Sequence, residues 1–171
     1  MRNNPLTIQE TKHPVVPHWK MLQHPVHAFS LGFGSGLLPK APGTWGTVAA
    51  LPIWCAMLYW QQPIALWGFW LVLTLFSIYC AQYTSDALGV HDHKAIVCDE
   101  IVGYLLVLLC LPHTVLWLIL GFVGFRFFDI VKPWPISWCD RHIPGGLGIV
   151  VDDLAAACFA IVILWMVTHI L

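Results

Sequence analysis

The sequence predicts an all-α fold: a small multi-helix bundle integral to a membrane, built from two helical hairpins and a C-terminal helix, with a charged site on one face. Three observations predict it. The 171 residues are 58% hydrophobic and 10% charged, with a mean hydropathy of +0.74, whereas a soluble domain carries about 25% charged residues. Apolar runs cover residues 47–60, 64–83, 101–111, 115–128 and 154–171, separated by short polar or proline-bearing breaks. Every Lys and Arg (Arg2, Lys12, Lys20, Lys40, Lys94, Arg126, Lys132, Arg141) avoids the breaks at 61–63 and 112–114 and the run after residue 154.

Along the chain, residues 1–24 read as a polar, flexible arm in which prolines block any long helix. They contain no hydrophobic stretch of the kind a signal peptide needs, so none is expected. Residues 25–171 form the embedded domain. A short helix leads from Val26 into the loop GFGSGLLPKAPGTWGT, residues 32–47. Its G-x-G-x-G follows no strand and precedes no G-K-[ST], which argues against a nucleotide site. Its glycines suit either an anion-binding backbone nest, with Ser35, Lys40 and Thr44 as donors, or a plain helix-to-helix turn.

Of the apolar runs, only 64–83 and 154–171 approach the ~20 residues that span a bilayer, so the others are expected to be tilted, short or re-entrant. Pairing 47–83 and 101–128 as hairpins brings all eight basic residues to one face, which the positive-inside rule makes cytoplasmic. A single crossing by 101–128 would split them between two sides. His113 then falls on the opposite side from the charges.

The net charge of -1 gives no basis for nucleic-acid binding. The six cysteines, at 55, 80, 98, 110, 139 and 158, stand singly without metal-like spacing and read as small buried hydrophobes. Cys98 and Cys139 each precede an aspartate, which disfavours a nucleophilic thiolate.

Eight of the nine acidic residues lie from Asp86 to Asp153, and seven of them are grouped as Asp92, Asp99-Glu100, Asp129, Asp140 and Asp152-Asp153, each beside the end of an apolar run. A charge at bilayer depth costs on the order of 3 kcal/mol, so such groups are candidates for function. Taken alone, Asp99-Glu100 and Asp152-Asp153 are also what the positive end of a helix dipole tolerates. Converging, the pairs supply hard oxygen donors without a Cys/His set, which favours Mg²⁺. Arg126, Asp129 and Lys132 stand three apart on one helical side, either as an ion-pair ladder or as a phosphate clamp in which Asp129 orients the arginine or holds metal. Asp140-Arg141 repeats the charge pattern in a loop whose Trp134 and Trp138 read as interfacial anchors. His91 and His93 read as loop histidines, proton carriers or ligands.

Four stretches in consistent order carry a resemblance: GFGSGLLPKAPGTWGT, GVHDHKAIVCDEIVG, FRFFDIVKPWPISWCDR and GGLGIVVDDLAA. Together they resemble the phosphatidylglycerophosphatase A family over residues 32–171. The resemblance implies a Mg²⁺-dependent lipid phosphatase of the bacterial inner membrane, multi-pass, converting phosphatidylglycerophosphate to phosphatidylglycerol with its active site facing the cytoplasm.

The family-like charged positions are His91, Asp92, Asp99, Glu100, Arg126, Asp129, Lys132, Asp140, Arg141, Asp152 and Asp153. On this basis the expected metal ligands are Asp99, Glu100, Asp129, Asp152 and Asp153. Catalysis is expected from Asp99, Glu100, Asp129, Arg126 and Lys132, and substrate binding from Lys40, Thr44, Asp92, Asp140 and Arg141. The motifs of aspartyl-phosphate, cysteine and histidine phosphatases are absent from the sequence. The alternative class is a small ion or proton transporter, for which charges would be expected near run midpoints with symmetry between halves. Neither feature shows in the sequence, which leaves the oligomeric state open.

Overall fold

The structure, a computed structural model, describes residues 15–60 and 62–168. Residues 1–14, the first part of the expected arm, lie outside the described residues. Seven α-helices follow in order: α1 Pro25–Ser30, α2 Pro42–Met57, α3 Pro63–Leu88, α4 Cys98–Cys110, α5 Val115–Val131, α6 Ile136–His142 and α7 Gly145–Thr168. There is no strand among the described residues. Proline and glycine set several of these limits. Pro25, Pro42 and Pro63 occupy first helical turns, where a missing N–H costs nothing. Gly89 closes α3 at φ 69°, a left-handed cap that only glycine adopts freely.

Helix α4 is the axis of the bundle. Every residue from Cys98 to Leu108 is buried, and α4 packs on α7, α2, α3 and α5. The Tyr104 hydroxyl donates to the Leu118 carbonyl at 2.7 Å, tying α4 to α5. Small residues permit close approach where hydrophobic burial gives no drive in lipid. A Cβ on Gly124 of α5 would lie 3.6 Å from Ala160 Cβ of α7.

The two expected hairpins take different forms. The α4–α5 pair packs directly, but α2 and α3, although consecutive in the chain, make little direct contact among the described residues; each packs mainly on α4 or on other neighbours. The cause is α2's inner stripe, Gly43, Gly46, Thr47, Ala50, Trp54 and Met57, whose small first half fits the wall of a helix already flanked by α3.

Helix α3 is inverted relative to a soluble core helix. Its inward side carries Thr74, Ser77, Cys80, Ala81, Thr84 and Ser85, while Ile64, Trp67, Leu71, Val72, Leu75 and Phe76 are exposed. Water would not tolerate that arrangement over a whole helix, whereas lipid would. Helix α3 and residues 145–167 of α7 are the two described helices long and apolar enough to cross a membrane.

The ends of the bundle differ. The rings of Trp54 and His113 meet at 5.0 Å, so the end of α2 and the uncharged turn at 111–114 share one end of the bundle. The starts of α2 and α4 and the end of α5 share the other end with the loop 89–97 and the first turns of α7. Residues 15–24 lie against this charged end: the Val15 N–H donates to the Leu88 carbonyl at 2.9 Å, and the His24 ring stacks on Tyr83.

Candidate active site

At the charged end lies a cavity of about 440 Å³ lined by Pro42, Gly43, Thr44, Asp92, Lys94, Asp99, Glu100, Arg126, Asp129, Lys132, Asp152 and Asp153, with Ala41, Ile96 and Ile130. Each wall comes from a different element. Asp99 and Glu100 occupy the first turn of α4. Arg126 and Asp129 lie in the last two turns of α5, and Lys132 caps that helix at φ 43°. Asp152 and Asp153 were expected at the start of the last helix, but α7 begins at Gly145, placing them two turns inside it. Capping therefore does not account for them. Gly145 opens α7 at φ 71°, and Gly146 and Gly148 carry the helix on, with Gly146 packed tightly against the α3 backbone at Ile78 and Gln82.

The carboxylates are deeply buried: Asp99 is 7% exposed, Glu100 9%, Asp152 4% and Asp153 3%. Asp99, Glu100 and Asp153 each direct one oxygen into a cluster whose atoms lie within 4.8 Å of one another. Asp99 Oδ1, Glu100 Oε2, Asp152 Oδ1 and Asp153 Oδ2 are buried without a hydrogen-bond partner. An orphaned buried polar atom costs roughly 1–3 kcal/mol, more when charged. Six carboxylates face three cations around the cavity, leaving a formal excess of three negative charges. The donor set is oxygen only, as Mg²⁺ prefers, so these residues fit a divalent cation of that kind.

Two cations are already engaged. Arg126 Nη1 lies 2.5 Å from Asp129 Oδ2 and 3.5 Å from Glu100 Oε1. Lys132 Nζ lies 2.7 Å from Asp140 Oδ1 and 2.5 Å from Asp152 Oδ2. The three-apart ladder is thus half realised: Arg126 pairs with Asp129 along α5, but Lys132 has left the helix and bridges α6 to α7. Burial pulls the Lys132 ammonium down in pKa, and its bonds to Asp140 and Asp152 more than offset this, so it is raised above the ordinary lysine value.

Among the other expected site residues, Thr44 and Asp92 line the cavity, Asp140 reaches it through Lys132, and Lys40 and Arg141 do not line it. Asp129 and Asp152, expected as metal ligands, each meet a cation, and the three-carboxylate cluster comprises Asp99, Glu100 and Asp153. Gly43 faces this cluster at close range: a Cβ there would run into Glu100 Oε1 and lie 2.9 Å from Arg126 Nη2. Neither histidine of the loop lines the cavity. His91 Nε2 accepts the Gly145 N–H at 2.9 Å, and His93 Nδ1 accepts the Ala95 N–H at 3.1 Å. Burial, then Lys94, lowers the His93 pKa against the opposing pull of Asp92, which suits an imidazole accepting a hydrogen bond. Sequence reading missed Lys94, whose only signal was a cation two residues after Asp92 in a short loop.

An apolar outer surface, a buried oxygen-donor cluster and two anchored cations at one end define a helical, membrane-type protein with a charged cavity whose donors fit a divalent cation. The family model for phosphatidylglycerophosphatase A matches residues 28–168, and the chain belongs to that family. It is 41% identical over 150 residues to phosphatidylglycerophosphatase A of Escherichia coli (strain K12), covering 86% of each chain. It is 38% identical over 149 residues to the Haemophilus influenzae protein of the same name, covering 86% of this chain and 91% of the relative. A third relative, from Bacteroides thetaiotaomicron and provisionally named a phosphatidylinositol-3-phosphatase, is 36% identical over 141 residues, 78% of this chain and 87% of that one. No solved structure matches the chain.

Proposed function

We infer that this chain is a Mg²⁺-dependent phosphatase of a bacterial inner membrane, removing the terminal phosphate of phosphatidylglycerophosphate to give phosphatidylglycerol in phospholipid synthesis. The observation that carries the reading is the buried Asp99–Glu100–Asp153 cluster, whose unpartnered oxygens stand beside Arg126 and Lys132 in one cavity. Asp99, Glu100 and Asp153 would hold the ion, with the free oxygen of Asp152 next to them. Mg²⁺ bound there would supply Lewis-acid polarisation of the phosphoryl group and activation of water.

The chain's own groups do the rest. Arg126 presents a planar fork suited to phosphate oxygens, and Asp129 and Glu100 fix its orientation. Lys132, locked by Asp140 and Asp152, adds a fixed positive charge where negative charge gathers during transfer. Thr44 offers a hydroxyl at the start of α2, and Asp92 stands on the cavity wall. The outward apolar faces of α3, α5 and α7 sit among acyl chains, so only the headgroup reaches the polar end. That end faces the cytoplasm, where the excess of Lys and Arg belongs. Carboxylates gathered in a closed cluster at one end of the bundle suit hydrolysis better than the transporter alternative, which needs a path through the bundle.

The deciding experiment measures phosphate release from phosphatidylglycerophosphate, phosphatidic acid and phosphatidylinositol 3-phosphate in mixed micelles, with Mg²⁺ and with excess chelator. Phosphatidylglycerophosphate is expected to be cleaved fastest, and only with Mg²⁺. Full activity in chelator would overturn the metal assignment, and equal cleavage of phosphatidic acid would overturn the headgroup assignment.

A further inference from the structure

Beside the cavity just described lies a second one of about 450 Å³, lined by residues 15–17, by Gly36, Leu37, Leu38 and Pro39, and by Val90, His93 and Ala95. Pro42 and Lys94 line both chambers, so the lysine stands at the boundary between them. Its chemical situation differs from that of the other two cations in the first chamber. Arg126 and Lys132 each hold two carboxylates. Lys94 is the one cation of that cavity with no ion pair or hydrogen bond to its side chain among the described residues.

The backbone under Lys94 is firmly placed. Asp92 holds the left-handed conformation at φ 49°. The Ala95 N–H donates to His93 Nδ1, the Ile96 N–H to the His93 carbonyl at 2.7 Å, and the Val97 N–H to the Ser30 carbonyl at 2.9 Å. A three-residue turn bonded at both ends fixes where the lysine stem leaves the chain, while the ammonium remains exposed and unneutralised.

A phosphate monoester lipid of the phosphatidylglycerophosphate type carries two anionic groups, the terminal phosphate and the internal phosphodiester, joined by a three-carbon polyol. In the reading above the metal cluster, Arg126 and Lys132 serve the terminal phosphate, which leaves the phosphodiester without an assigned cation. We propose that Lys94 is a specificity-determining residue that pairs with the second anionic group, the phosphodiester, so that the site selects lipids bearing two phosphates over phosphatidic acid, which bears one. The proposal rests on the phosphatase reading above. An ammonium facing a partly desolvated phosphate gives a charge-assisted contact, and losing it lowers affinity by about tenfold.

The test compares kcat and KM for phosphatidylglycerophosphate and phosphatidic acid in mixed micelles, using the full chain, Lys94→Gln and Lys94→Arg. Lys94→Gln is expected to lower the ratio of kcat/KM between the two lipids by about tenfold, mostly through KM for the two-phosphate lipid, and Lys94→Arg to restore most of it. An unchanged ratio, or equal losses on both lipids, overturns the proposal while the phosphatase reading stands. A parent chain that releases no phosphate from either lipid sinks that reading itself. Because Lys94 is exposed, the glutamine variant leaves the packed core untouched.

Discussion

Asp99 shares its pocket with two other carboxylates, and its cost to the fold is separable from its part in the chemistry. Like charges within 4.8 Å repel by roughly 3 kcal/mol at an effective dielectric of 20. Without a metal, Asp99→Asn removes part of that repulsion, and the variant is expected to melt about 2–6 °C higher than the parent in chelator. The same change should lower phosphatase activity by about 100-fold or more with Mg²⁺ present, since it removes a charged oxygen from the cluster. Thermal unfolding in detergent and a phosphate assay read the two effects separately. A variant that melted lower in chelator would show that Asp99 is a structural anchor instead. The sequence made the identity of this residue legible through the resemblance and the adjacent glutamate. It could not show that Asp153 completes the cluster while Asp152 turns to Lys132, because that depends on which side of α7 each faces.

Helices α2 and α5 show how the elements aim these groups. On α2, Gly43 and Gly46 are both buried, but they face different neighbours. An alanine at 46 would bring its Cβ to 2.5 Å from Val97 Cβ, against the stem of a branched side chain. An alanine at 43 would meet Glu100 and Arg126, whose charged ends can shift. Gly46→Ala is therefore expected to destabilise the protein by about 1–3 kcal/mol. Gly43→Ala should leave melting close to the parent and reduce activity by about tenfold or more through a displaced guanidinium. Equal melting losses in both variants would contradict the assignment of Gly43 to the site.

At the end of α5, Lys132 joins α6 to α7. Its two bonds favour the ammonium and its pKa is raised, so the stability it contributes is fully present below the ordinary lysine range. That contribution is lost only as pH rises through the raised value, leaving it flat from about pH 7 to about pH 9. Lys132→Met strands the buried Asp152 and is expected to cost about 2–4 kcal/mol, much of it recovered in Lys132→Met/Asp152→Asn. Urea or thermal melts of the two variants check this, and a double variant no more stable than the single would refute it. The run of apolar residues predicted α5 but not the turn of the chain at Lys132, because Pro133 ends the helix in a geometry that only tertiary contacts decide.

Across the whole molecule, the pattern of charge placement and the inverted surface of α3 point to the same arrangement. Apolar run lengths and the absence of basic residues from two turns were enough to predict which loops share an end. They could not predict that α2 and α3 would separate around α4, since that follows from the small-residue stripe meeting a helix buried on all sides. The arrangement makes a strong demand on topology. The Trp54–His113 contact fixes the end of α2 and the uncharged turn at 111–114 at one end, and the cavity fixes Asp92, Lys94 and Lys132 at the other. If the bundle crosses the bilayer, a reporter fused after Pro112 must read periplasmic and one fused after Val90 cytoplasmic. The same signal from both positions would refute the two-ended arrangement. The apolar face of α3 supplies an independent check. Leu75 is 59% exposed near the middle of that helix, where an arginine costs on the order of 3 kcal/mol in lipid but almost nothing in water. Leu75→Arg is therefore expected to reduce the amount of protein recovered in the membrane fraction several-fold, whereas Leu75→Phe should leave it near the parent level. Unchanged recovery of the arginine variant would mean that this face meets water or another protein, and the lipid-facing reading of α3 would fall with it.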